Sequence, residues 1–199
     1  MRYLIAALLL FGFATVSASA DESIATIGKL TIIHGNNLSP ENEEFVKQEV
    51  KAHQYKTSTM ASEIGERVRY ALQRRGYFKV FVHDPVVAVL SKETYPEIVD
   101  VKVSVDEGEI YRLKTIGFTN TLVFTPPELR SQFQIADGDI FDREKIATGL
   151  EGLRRLYGSK GYTNFSAVPE TDLNNNTHTV ALVVHLNEGA HEGNSANRR

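Results

Sequence analysis

Six histidines, at positions 34, 53, 83, 178, 185 and 191, and the acid groups Asp106-Glu107 and Asp137/Asp139 are the side chains of this 199-residue sequence that could hold a metal or move a proton. Metal binding from a helix wants histidines one turn apart, or an H-E-x-x-H pattern, so that two imidazoles leave the same face. None of the six is spaced that way: His178, His185 and His191 fall in a turn, on the outer face of a strand and in the tail. The acids sit beside glycines, in Asp106-Glu107-Gly108 and Asp137-Gly138-Asp139, where their task is turn geometry and not acid–base work. No G-x-S-x-G, P-loop or dinucleotide fingerprint occurs. Zero cysteines remove thiol catalysis, disulfide exchange and thiolate metal sites. The expectation is a non-enzyme without cofactor or metal.

The elements that would position any site begin after a leader. Arg2 supplies a positive start, Leu4 to Phe13 an apolar run, and Ala18-Ser19-Ala20 a small-residue cleavage pattern before Asp21, which predicts a cleaved signal peptide at residues 1–20. An uncleaved anchor would need a longer apolar run of about 20 residues. Export without cysteine means that core packing alone must hold the folded part together. Of the 22 Lys plus Arg, only Arg2 lies in the leader, which leaves the rest short of the 25 Asp plus Glu. An acidic balance gives no support to nucleic acid as a partner.

Beyond the leader the sequence is duplicated. Val99, Val101, Val103 and Val105 alternate with polar residues and run into Asp106-Glu107-Gly108; Val180, Leu182, Val184 and Leu186 run into Asn187-Glu188-Gly189. Gly76-Tyr77 precedes the first strand and Gly161-Tyr162 the second, each pair ending a helical stripe, Ile64-Val68-Leu72 in one and Ile146-Leu150-Leu153-Tyr157 in the other. Ser39-Pro40-Glu41 and Thr125-Pro126-Pro127-Glu128 are helix starts, as is Asp142. Each unit therefore reads strand, helix, helix, strand, strand. The predicted fold class is α+β: two tandem β-α-α-β-β units, each a three-stranded mixed sheet covered on one face by two helices. The predicted boundaries are 28–109 and 110–190, with a disordered tail at 191–199. Only about four residues join the units, so their relative orientation is restricted and an elongated two-bead rod is expected.

These features resemble the POTRA domain, the polypeptide-transport-associated module of outer-membrane barrel-assembly and two-partner-secretion proteins. The resemblance rests on the opening strand Leu113 to Phe118, the turn at Gly138, Leu156-Tyr157-Gly158-Ser159-Lys160-Gly161-Tyr162 and the closing Glu188-Gly189. The first unit matches well from Arg74-Arg75-Gly76-Tyr77-Phe78 through Asp106-Glu107-Gly108, and less well in its opening half. The family's members commonly continue into a barrel, and the ten polar residues after Gly189 cannot supply one, so two copies without the barrel are expected.

The resemblance implies a central closing strand and leaves the second strand at an edge, where an extended polypeptide can add a strand. That edge is expected at Phe78 to Val82 and Thr163 to Val168, with Phe78, Lys79, Phe81, Val82, Asn164, Phe165 and Ser166 as polypeptide-binding residues. The implied role is a periplasmic, non-catalytic adaptor of outer-membrane protein assembly or secretion, partnered by polypeptide or an outer-membrane barrel protein and associated with that membrane through the partner. Two rivals stand beside it. An envelope or cell-division scaffold would be favoured by an uncleaved segment 1–20, and a secreted enzyme by a deep pocket with converging ionisable groups.

Overall fold

A computed structural model of the protein describes residues 23–191. The leader predicted at 1–20, and all but the first residue of the predicted tail, lie outside the described residues. No helix among the described residues is long and apolar enough to cross a membrane.

The fold is α+β, with two mixed sheets and four helices. Strand β1 (Ile24–Ile33) leads through Ser39, whose hydroxyl accepts from the Asn42 N–H, into helix α1 (Pro40–Lys51). The two-residue β2 (Tyr55–Lys56) pairs with the start of β1, and helix α2 (Met60–Arg74) buries Ile64, Val68 and Leu72. The last strand of the first unit, β5 (Glu97–Asp106), is central: it runs parallel to β1 and antiparallel to β3 (Phe81–Val82) and β4 (Val86–Ser91). The second unit repeats the plan. Its β8 (Thr179–Asn187) lies between a parallel β6 (Arg112–Thr119) and an antiparallel β7 (Ser166–Asn174), under α3 (Pro126–Arg130) and α4 (Arg143–Gly158).

The alternating pattern becomes two cores. Val99, Val101, Val103 and Val105 are buried against one helix pair, and Val180, Leu182, Val184 and Leu186 against the other. The strand faces turned away from the helices carry Asp100, Lys102, Thr179 and His185, as a sheet wet on one side requires. Both Gly-Tyr pairs close their helices in the same manner. Gly76 and Gly161 take positive φ of 88° and 81°, and the tyrosine N–H groups reach back to the Leu72 and Tyr157 carbonyls.

Three elements differ from the expectation. The first sheet has five strands, because β2 caps β1 and the edge opposite is split into β3 and β4 at Asp84-Pro85. The register shows why: Val82 faces Val105 and Val86 faces Lys102, so one extra residue is accommodated where proline interrupts the ladder. Helix α3 is a short five-residue turn of helix, and Phe133 lies beyond its end with its ring over Gly149, where a Cβ would stand 2.2 Å from it. The first strand starts at Ile24, four residues ahead of the predicted unit boundary.

Candidate functional site

The strand ends are held by a carboxylate in each unit. Glu107 is buried at 5% exposure and accepts the Gly35 and Asn37 N–H groups at 3.0 and 2.9 Å. Glu188 accepts from Leu122 and Val123 at 2.8 and 3.1 Å and from the Tyr157 hydroxyl at 2.8 Å. In both cases the closing strand pins the loop that follows the opening strand. Burial pushes both carboxyls up, but the backbone N–H donors, with Tyr157 at Glu188, outweigh it and hold both below the ordinary carboxylate value. Burial and the Glu188 carboxylate together push the Tyr157 hydroxyl up. Both acids fasten a loop to a strand end; for Glu107 the place beside a turn glycine points to such a backbone role, and Glu188 repeats it in the second unit.

Both sheets have open edges: β3 and β4 on one side of the first and β1 beyond Ala25 on the other, and β6 and β7 in the second. Beyond β5, the strands β3 and β4 pair with no further strand among the described residues. Strand β4, Val86-Val87-Ala88-Val89-Leu90-Ser91, contains no charge and no proline, and Val86 and Leu90 are 66% and 61% exposed. Edge strands are ordinarily blunted by charge, proline or brevity, and β4 is blunted by none of the first two. Six residues give about 20 Å of strand, with every other residue turning its N–H and C=O outward.

In the second sheet β6 and β7 are the two edges, and β7 is the one that corresponds to β3 and β4. It carries Pro169, Glu170 and Asp172; proline is tolerated on an edge where its missing N–H faces outward, so the outer ladder lacks a donor there. Glu170 is drawn to His185 at 2.9 Å, and the other ring nitrogen of His185 lies 3.0 Å from the Thr119 hydroxyl, which ties the three strands on their outer face. Beside β7 runs a cleft of about 370 Å³ whose apolar lining includes Phe141, Ile146 and Leu150 and, from the first unit, Phe78.

The predicted binding residues divide accordingly. Phe81 is exposed in β3, and Ser166 is exposed as the first residue of β7. Val82 is buried in the first core, and Phe165 is buried with its ring stacked on Tyr157 at 4.1 Å. Asn164 stands in the turn before β7, not in the strand. Phe78 and Lys79 also lie in a turn and reach toward the second unit: Phe78 packs 5.4 Å from Phe141 and 6.1 Å from Tyr111, and Lys79 Nζ donates to Asn175 at 2.7 Å. Phe78 joins the second core because Tyr77 N–H is bound back to Leu72, which turns the next side chain across the joint. Sequence reasoning reads Val86 to Leu90 as extended, bent from Phe78 to Val82 at Asp84-Pro85, but does not place it on the edge. Its signal was available, since five apolar residues without alternation fit a strand with no solvated, polar face.

Among the described residues no group of three His, Cys, Asp or Glu is placed to hold a metal. His34 and His83 are paired with Glu43 and Asp106, respectively.

Residues 111–189 match the family model POTRA, described as surface antigen variable number repeat. The outer membrane protein assembly factor BamA of Neisseria meningitidis serogroup B is 26% identical over 100 residues, an alignment covering 44% of this chain and 12% of that protein. The chain thus spans a small part of that relative's length. Among solved structures, POTRA3-5 of Haemophilus influenzae BamA superposes with a TM-score of 0.64 at 19% identity, covering 86% of this chain and 69% of that one. POTRA1-2 of the periplasmic domain of Omp85 from Anabaena gives 0.50 at 16% identity, covering 86% and 99%. At these identities the structural likeness is one of fold.

Proposed function

With a POTRA domain at residues 111–189 as the premise, we propose that this chain is a periplasmic, non-catalytic adaptor of outer-membrane protein assembly or secretion. It comprises two POTRA-like units, 28–109 and 110–190, delivered by the leader at 1–20 and associated with the outer membrane through a barrel partner. It binds extended polypeptide by strand addition at its sheet edges. The likeness to BamA supports the process, and the observation that carries the binding mode is the uncharged, proline-free edge of β4.

Strand addition asks only that the partner present an extended backbone, so it suits a protein that must accept many unfolded clients. The apolar side chains of β4 favour clients whose own strands are apolar on alternate residues. Of the predicted contacts, Phe81 and Ser166 extend the two edges; Lys79, Phe78, Val82, Asn164 and Phe165 position them. Edge β7 is the weaker acceptor because of Pro169 and its two acids.

Site-specific photo-crosslinking in cells tests this directly, with the probe placed in turn at Val86, Ala88, Leu90, Phe81 and Ser166, and at Glu66 and Glu151 on the helices. Capture of barrel precursors or of an assembly subunit from β4 is the expected result. If the helix positions capture such proteins while all edge positions stay silent, strand addition is wrong.

A further inference from the structure

A second feature of the joint stands apart from the strand edges. Between the two units lies a cleft of about 390 Å³ whose lining includes Arg74, Arg75, Arg112 and Lys145 against Asp139 and Asp142. The first two arginines come from the end of α2, Arg112 from the start of β6 and Lys145 from the first turn of α4. The lining carries four cations and two carboxylates, but Glu49 and Glu144 ion-pair with Arg74, so the charge open to a ligand rests on Arg75, Arg112 and Lys145.

The carboxylates are largely committed elsewhere. Asp142 accepts the Glu144 and Lys145 N–H groups at 2.8 and 3.3 Å, and Asp139 accepts from Ala136 at 2.9 Å. Among the described residues, the buried side-chain nitrogens and oxygens without a hydrogen-bond partner are the Nε atoms of Arg74 and Arg75. Arg74 Nε nevertheless lies against Glu144 Oε2 in an ion-pair contact whose geometry is not that of a hydrogen bond, so Arg75 is the firmer orphan. Its guanidinium is held 4.0 Å over the Phe45 ring and has only Glu41 at 4.0 Å, on a side chain 84% exposed. Arg112 spends one N–H on the Gly138 carbonyl at 2.9 Å, which leaves most of its fork unspent.

Arg75 Nε itself is covered, and the 35% of that side chain that is exposed is where the oxygens of a ligand would meet it. Guanidinium groups from α2 and β6 and the Lys145 ammonium from α4 suit an anion with several oxygens pointing in different directions, and the positive end of α4 adds to the attraction. A planar carboxylate is satisfied by one arginine fork; a tetrahedral anion uses all of them. We propose that this cleft is a phosphate-binding site, recognising either a soluble phosphate or a phospholipid headgroup, and that occupation clamps the two units together, because its donors come from both.

The test uses the whole exported chain. Calorimetric titration with inorganic phosphate is expected to show saturable one-to-one binding, weakened by about tenfold or more in R75Q and in the R112Q/K145Q double variant. Arg112 and Lys145 are exposed, so the double variant is expected to keep the thermal unfolding of the parent. Hydrogen exchange at the Tyr111 amide, which donates to the Gly76 carbonyl across the joint at 2.8 Å, is expected to slow with phosphate. Co-sedimentation with phosphatidylglycerol vesicles but not phosphatidylcholine vesicles, lost in the variants, assigns a lipid headgroup; phosphate binding without vesicle binding assigns the soluble anion. The proposal is overturned if neither phosphate nor vesicles bind, if the variants bind as the parent does, or if acetate binds as tightly as phosphate.

Discussion

Replacing Gly76 and Gly161 by alanine, one at a time, separates the fold of each unit from the contact between them. The two glycines hold the same place, after α2 and after α4, and both have positive φ, 88° and 81°. An L-residue in that region costs roughly 1–2 kcal/mol, so this term is common to both variants. The surroundings differ. At Gly161 a Cβ would meet nothing nearer than His191 Nε2 at 3.3 Å, whereas at Gly76 it would stand 2.5 Å from Ile140 Cγ2, 2.9 Å from Ile110 Cγ2 and 3.2 Å from the Tyr111 carbonyl oxygen. The last of these is fixed, because it accepts the Phe141 N–H at 2.9 Å. Overpacking of this kind adds roughly 1–3 kcal/mol. The expected loss is therefore roughly 1–2 kcal/mol for Gly161→Ala and roughly 2–5 kcal/mol for Gly76→Ala. Urea unfolding followed by far-ultraviolet circular dichroism measures both, and hydrogen exchange at the Tyr111 amide shows whether the added loss falls on the joint. Equal losses in the two variants, with Tyr111 protection unchanged, would refute the close approach of the units at Gly76.

Other perturbations read other parts of the molecule. Glu107 and Glu188 ionise below their ordinary value of 4.5 in the folded protein, so the stability they contribute is present above that value and is lost as pH falls through their lowered folded values. Thermal melts should show the parent weakening with acid below pH 4.5, and the Glu107→Gln/Glu188→Gln variant should be less stable at neutral pH, with a flatter acid limb; parallel curves would contradict the fastener role. Phe165→Ala removes a ring stacked on Tyr157 and should cost roughly 3–5 kcal/mol in urea unfolding, and a loss near zero would mean that the stack is not formed. Phe78→Ala should leave both cores folded by circular dichroism while broadening the small-angle scattering profile; an unchanged profile would show that this ring does not hold the joint.

The sequence was most legible where periodicity and core coincide. Val99 to Val105 and Val180 to Leu186 alternate because each strand has one helix-covered face, and the Gly-Tyr pairs mark helix ends because positive φ favours glycine. It was least legible where a residue's partner lies in the other unit. Phe78 reads as a strand residue, since nothing in its neighbourhood reports that Phe141 and Tyr111 lie opposite. Arg74 and Arg75 read as the solvated side of α2, yet they line the cleft at the joint. The edge is expected at Phe78 to Val82, with Val86 to Leu90 read as extended beyond a bend at Asp84-Pro85; in the structure that bend is a bulge between β3 and β4, which both lie on β5.

A four-residue connection limits the angles that two units can take, but it does not choose among them; side chains do that. Beside the backbone bond from the Tyr111 N–H to the Gly76 carbonyl, the side-chain polar links across the joint among the described residues include Arg74 with Glu144, Arg143 with Gln73 and Lys79 with Asn175. Exposed pairs of this kind contribute about 0–1 kcal/mol each and weaken with salt. Burying Phe78 against Phe141 and Tyr111 contributes roughly 1.5–3 kcal/mol if the ring is fully covered, less for its partial burial, and does not depend on salt. The apolar contact therefore sets the orientation and the polar ones refine it. Phe78 also lines the cleft beside β7; if clients bind there as proposed, a client side chain in that cleft would meet the same ring that holds the units together, and occupation of the second edge would be coupled to the angle of the joint through one residue.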